Sequence, residues 1–176
     1  MNLEELKETA INAAINAGKF LKSNISHKKE IFSEEGRDIK LEIDRSTELL
    51  IRKDLSSTNI NILGEEFGGD CPCDSLFWVI DPIDGTANYF RGLDQCCISI
   101  ALMKEKKSLI GIVYNFNNNE LYSAAEGYGC YLNDLKVSVS NISDKSKASL
   151  TTGFPASETL ESQYDFLDGL KNWKKI

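Results

Sequence analysis

Asp81 and Asp84 stand three residues apart around Pro82, and Gly85 and Thr86 follow them directly. Carboxylates are hard oxygen ligands that suit Mg²⁺, and unencumbered backbone N–H groups beside them suit a phosphate ester. A plainer reading is a strand that ends in a turn, because Asp-Pro and Asp-Gly are common turn dipeptides. That reading accounts for Pro82 and Gly85 but not for two carboxylates placed where they repel each other. Two more segments carry acids where an element starts or stops. Asp44 precedes Arg45-Ser46-Thr47-Glu48, where by itself it reads as a helix cap. Glu65 and Glu66 follow Gly64, and alone they read as a charged loop start. Brought to one sheet edge, Glu65, Glu66, Asp81 and Asp84 would destabilise it unless cations sat between them. Thr86 reads equally as a turn hydroxyl or a catalytic one, and Tyr89, Phe90 and Arg91 as packing or mouth-lining residues.

These groups need elements to hold them. Leu3, Leu6, Ala10, Ala13, Ala14, Ala17, Phe20 and Leu21 recur at helical spacing, so residues 3–24 predict a long amphipathic helix. Residues 30–43 predict two short strands about a turn at Glu35-Gly36-Arg37, the second alternating strictly through Ile39-Lys40-Leu41-Glu42-Ile43. A second helix should then start behind Asp44 and end near Ser56-Ser57. Asn61-Ile62-Leu63 reads as a short strand running into Gly64-Glu65-Glu66, with a loop over 67–75. Leu76 to Ile80 is an apolar run, a buried strand that Pro82 should stop at Asp81. Strands over 96–103, 108–116, 120–125, 129–132 and 135–139 continue as a meander, and 158–173 reads as helix. The expected class is α+β: an antiparallel sheet with two long N-terminal helices packed on one face. Domain boundaries are expected at 1–150, a metal-binding unit, and 151–176, the start of a second, substrate-binding one.

A chain of 176 residues with 41% apolar residues can bury a real core. Its net charge of −7, from 27 acidic against 20 basic residues, argues against nucleic acid, whose phosphates need a basic face. Cys71, Cys73, Cys96, Cys97 and Cys130 lack paired zinc spacing, and the only histidine, His27, lies far from them and from any triad partner. They read as reduced thiols of a cytoplasmic protein. No leader pattern and no run of 18 apolar residues points to secretion or to a membrane span.

At its acidic segments the chain resembles the lithium-sensitive, magnesium-dependent phosphomonoesterase superfamily, and most closely the inositol monophosphatase family. The resemblance rests on Asp44, on Gly64-Glu65-Glu66 and on Trp78-Val79-Ile80-Asp81-Pro82-Ile83-Asp84-Gly85-Thr86. It extends to Asp38–Asp44, to the hairpin Glu126–Asn133 and to Thr152-Gly153-Phe154-Pro155. It implies the first half of an αβαβα sandwich and hydrolysis of a small phosphorylated polyol or sugar by a metal-activated water. It assigns Glu65, Asp81, the Ile83 carbonyl and Asp84 to Mg²⁺, and the N–H groups of Gly85 and Thr86, with Asp84, to the phosphate. Thr86, hydrogen-bonded to Asp44, would activate the water, so the implied catalytic residues are Asp44, Glu65 and Thr86. The family's pattern closes with a distant Trp-Asp pair, whereas Trp173 here is followed by Lys174. The chain is therefore expected to be an N-terminal half, with activity impaired by the missing part. A phosphatase of 3′-phosphoadenosine 5′-phosphate, and a non-catalytic metal-binding or interaction fragment, are the alternatives. A homodimer completing its own site is a further expectation.

Overall fold

The computed structural model of the chain describes residues 2–25, 31–35, 38–70, 72, 74–151, 166 and 170, with the backbone alone for 31–35 and 38–41. The expected helix over 158–173 apart from Phe166 and Leu170, together with Thr152–Pro155, His27, Cys71 and Cys73, lies outside the described residues, and so does Trp173. The chain divides into two compact units, Met1–Glu35 with Ile39–Val137, and Gly36–Asp38 with Ser138–Ile176. In the second unit the described part holds one 3₁₀ turn, Lys145–Lys147, capped by the Asp144 carboxylate, which accepts from the Ser146 N–H at 2.9 Å.

The first unit opens with helix α1, Leu3–Asn24. Asn2 caps it reciprocally with Glu5: the Glu5 N–H donates to Asn2 Oδ1 at 2.9 Å, and the Asn2 N–H to Glu5 Oε2 at 3.0 Å. Its buried stripe runs Leu6, Ala10, Ala13, Ala14, Ala17 and Leu21, where each leucine contributes about 2 kcal/mol of transfer free energy. Strands β1 (Ile31–Glu35) and β2 (Asp38–Leu41) pair as a two-stranded sheet. Helix α2, Glu42–Leu55, begins earlier than the alternation of 39–43 predicts. The Thr47 hydroxyl donates to the Ile43 carbonyl at 2.7 Å, so Ile43 is already helical and Asp44 lies inside the first turn rather than ahead of it. A carboxylate there meets the positive end of the helix dipole.

The remaining strands are β3 (Asn61–Gly64), β4 (Leu76–Asp84), β5 (Cys97–Lys104), β6 (Lys107–Asn115), β7 (Glu120–Ala125), β8 (Gly129–Leu132) and β9 (Leu135–Val137). They form one sheet in sequence order. It is mixed rather than wholly antiparallel, because β3 and β4 run parallel. A parallel pair requires a crossover, which leaves β3 at Gly64 and returns at Leu76.

Pro82 does not stop β4. The strand continues to Asp84 through a bulge in which Pro82 and Ile83 face the single Ile98 of β5. Beyond Ile80 the parallel partner has ended, so the missing N–H of Pro82 breaks no ladder bond on that side. A short helix that the sequence pattern does not announce follows, α3, Thr86–Arg91. Helix α1 lies over β5, β6 and β7, and α2 over β4. Beneath them Trp78, Ile80, Ile98, Ile100, Leu102, Ile110 and Ile112 form the core, with the buried Tyr89 of α3 edge-on to Phe116.

Candidate active site

Parallel pairing decides where the acids meet. Gly64 of β3 stands opposite Ile80 of β4, so Glu65 and Asp81 each lie one residue further toward the same sheet edge. The Glu65 N–H donates to the Ile80 carbonyl at 3.2 Å, which fixes the two segments side by side. The two carboxylates are close enough to act on each other's charge. Burial, then the Glu65 carboxylate, then Asp84 push the Asp81 carboxyl up to about 7, although it accepts the Ile83 N–H at 3.1 Å. A carboxyl held this reluctant to ionise marks a place where a positive charge would be stabilised.

Across the bulge, Asp84 is exposed and its Oδ2 lies 3.8 Å from Cys97 Sγ. Burial first, then Asp84 and Asp81, push the Cys97 thiol up to about 12. It stays protonated at neutral pH and is no thiolate nucleophile. Gly85 takes φ 90°, a left-handed conformation, and its carbonyl accepts the Asn88 and Tyr89 N–H groups that close the first turn of α3. Thr86 and Ala87 precede Asn88, the first residue of α3 whose N–H donates back to Gly85.

Thr86, first residue of α3, faces α2. Its Oγ1 lies 3.2 Å from Asp44 Oδ1 and 2.9 Å from the Ile83 carbonyl. Asp44 is 2% exposed. The structure thus gathers two pairs, Glu65 with Asp81 and Asp44 with Thr86, joined by the bulge 81–84. Asp84 is turned toward Cys97, and the Ile83 carbonyl is engaged by Thr86. Among the described residues, no three His, Cys, Asp or Glu side chains are arranged to hold one metal ion. The donor chemistry is that of a hard cation, all carboxylate and carbonyl oxygen.

A cleft of about 380 Å³ opens at Asp84 and Gly85, bounded by Asn88, Gln95, Cys97 and Tyr122. A larger one, about 840 Å³, lies between α1 and β6–β8 and is lined by none of Asp44, Glu65, Asp81 or Asp84. Chemistry rather than size therefore locates the site.

The family model described as inositol monophosphatase family matches residues 2–175. The chain belongs to the inositol monophosphatase family. Among relatives, the Nus factor SuhB of Xylella fastidiosa is 35% identical over 152 residues, which cover 84% of this chain and 55% of that protein. Inositol monophosphatase 2 of Solanum lycopersicum is 34% identical over 157 residues, covering 85% of this chain and 59% of its own. The crystal structure of the extragenic suppressor protein suhB from Bartonella henselae superposes with a TM-score of 0.86 at 27% identity, over 98% of this chain and 68% of that one. The chain spans a little over half the length of the two curated relatives. Cys97 and Cys130 are free thiols. No helix among the described residues is long and apolar enough to cross a membrane.

Sequence reasoning missed the Glu48–Arg52 pair of α2. Glu48 is fully buried, and its carboxylate meets Arg52 Nε at 2.8 Å. The only sequence sign was its place on the face of Ile51 and Leu55, and the structure buries Asp44, Glu48, Ile51 and Leu55 together.

Proposed function

We propose that this chain carries the metal- and phosphate-binding half of a Mg²⁺-dependent phosphatase of small phosphate monoesters, of the inositol or sugar monophosphate class. The observation that carries the reading is the Glu65–Asp81 pair one bulge away from the Asp44–Thr86 pair. Family membership supports the same reaction class.

Glu65, Asp81, Asp84 and the Ile83 carbonyl would hold the metal. When bound, Mg²⁺ supplies a Lewis acid that lowers the pKa of water and offsets charge on the phosphoryl group. The chain's own groups do the rest. The N–H groups of Gly85 and Thr86 bind phosphate oxygens at the start of α3. Thr86 accepts the proton of the attacking water while its own hydroxyl proton is drawn to Asp44, whose carboxylate is kept from bulk water by burial. Cys97, held protonated, is not the nucleophile in this reading; water is.

Orthophosphate release from inositol 1-phosphate and from a hexose phosphate, in Mg²⁺ and in EDTA, tests the reading. Release, weak in a chain that carries only this half, should need Mg²⁺ and disappear in Asp81→Asn. Release that is indifferent to EDTA would sink it.

A further inference from the structure

We infer that Glu48 is a positioning residue that aims the Glu65 carboxylate at Asp81. The inference rests on the metal-binding reading above and adds to it the group that sets the Glu65 turn. Glu65 is exposed and sits on a turn of the chain, Gly64–Gly68. A carboxylate so placed would sample many orientations unless its backbone were pinned. The pin comes from α2. Glu48 Oε2 accepts the Glu66 N–H at 2.7 Å, and Oε1 accepts the Phe67 N–H at 3.3 Å and Arg52 Nε at 2.8 Å. Arg52 then reaches past it: Nη1 donates to the Ile62 carbonyl at 3.3 Å, and Nη2 to the Gly68 carbonyl. The turn is closed on itself by the Gly64 N–H, which donates to Gly68 O at 3.0 Å. One ion pair, with its carboxylate buried and its guanidinium partly exposed, thus holds the turn that carries Glu65.

The surroundings are built around this carboxylate. A Cβ on Gly64 would fall 2.0 Å from Glu48 Oε1, so that position has room for glycine only while Glu48 stays where it is. Asp44 and Glu48 are one helical turn apart on α2. The same helix therefore presents one carboxylate to Thr86 and the next to the Glu65 turn, and sets the two halves of the site against each other. Glutamine at 48 keeps the shape but puts an NH₂ where an acceptor is needed, facing the Glu66 N–H, the Phe67 N–H or the guanidinium. Groups that orient a ligand from behind typically change metal affinity by about 10–100-fold.

The test titrates Mn²⁺ into the whole chain and follows the free ion by electron paramagnetic resonance. It compares the parent, Asp81→Asn, Glu48→Gln, Arg52→Lys and, as a stability control on the same helix, Ile51→Val. Amide exchange at Glu66 and Phe67 is read in parallel. Glu48→Gln should lose protection at both amides and bind Mn²⁺ about 10–100-fold more weakly. Arg52→Lys, which keeps the charge and loses the fork to two carbonyls, should fall between parent and Glu48→Gln. It also covers the case in which Glu48→Gln does not fold. Ile51→Val should melt lower with unchanged Mn²⁺ affinity. Parent-like Mn²⁺ affinity in Glu48→Gln and Arg52→Lys, or equal weakening in Ile51→Val, overturns this inference alone. A parent chain that binds Mn²⁺ no better than Asp81→Asn overturns the metal reading and this inference with it.

Discussion

Thr86 Oγ1 lies within hydrogen-bonding distance of both Asp44 Oδ1 and the Ile83 carbonyl, yet a hydroxyl has one proton to give. The shorter contact, 2.9 Å, is to Ile83; the one to Asp44 is 3.2 Å. A shift of that single proton from the carbonyl to the carboxylate needs only rotation about the C–O bond. It would free the Ile83 carbonyl for a cation and turn a Thr86 lone pair outward. Thr86→Val keeps the shape and removes the hydroxyl. We expect it to lower stability by about 1–3 kcal/mol, since the carbonyl of the buried Ile83 loses its donor. Asp44→Asn, whose amide oxygen still accepts, should cost less. Denaturant unfolding of both variants checks the order, and a Thr86→Val chain as stable as the parent would contradict it.

Asp81 gives a pH dependence with a definite sign. Its carboxyl is raised to about 7 in the folded chain from 3.8, so between those values the native state holds a proton that the unfolded chain has released. Stability from this group is therefore present at low pH and declines as pH rises from about 4 to about 7. In EDTA, the difference in melting temperature between parent and Asp81→Asn should swing against the parent across that window. Added Mg²⁺ should restore the parent at pH 7 and leave Asp81→Asn nearly unmoved, because only a chain that binds the ion gains by mass action. Parallel pH profiles for the two chains in EDTA would refute the account.

What the sequence discloses and what it hides follow from range. Helix α1 is legible from Leu3 to Asn24 because twenty-two residues carry an uninterrupted apolar stripe. The meander from β5 to β9 is legible because each strand alternates and each turn carries its own polar residues. The approach of Glu65 to Asp81 joins two element ends that the sequence marks, but the parallel β3–β4 pairing that produces it is a long-range choice with no local mark. The bulge at Pro82–Ile83 hides for the same reason: proline reads as a stop unless the neighbouring strand is known to have ended. Helix α3 spans six residues, too few for a period, and is held by the Gly85 turn and by Tyr89 buried among residues distant in sequence. Glu48 hides behind its type, since a glutamate on an apolar face looks like a solvated one until its partners are known.

The Cys97 thiol should be slow toward iodoacetamide at neutral pH although it is only partly buried, because Asp84 and Asp81 add to the burial that holds it protonated, up to about 12. Asp84→Asn removes the nearer charge and should speed its alkylation, with Cys130 as the internal reference in peptide mass mapping. Unchanged Cys97 labelling in that variant would mean that burial alone governs the thiol.

Gly85 links Asp84 to Thr86, and it should tolerate no side chain. Its φ of 90° lies where an L-residue is strained by about 1–2 kcal/mol. A Cβ there would also stand 2.9 Å from the backbone oxygen of Gln95, which cannot rotate away. Gly127 separates the two effects, for its φ is 82° and a Cβ would meet nothing within 4 Å. Gly127→Ala should therefore show the conformational strain alone. Gly85→Ala should show that strain plus displacement of the Asp84–Thr86 segment. We expect Gly85→Ala to unfold at lower denaturant than Gly127→Ala. Only Gly85→Ala should weaken Mn²⁺ and orthophosphate binding, since the shift moves Asp84 and the first N–H groups of α3 together. Equal midpoints and equal ligand affinities in the two variants would show that the Gln95 contact relaxes without moving the acids, and would remove Gly85 from the site's framework.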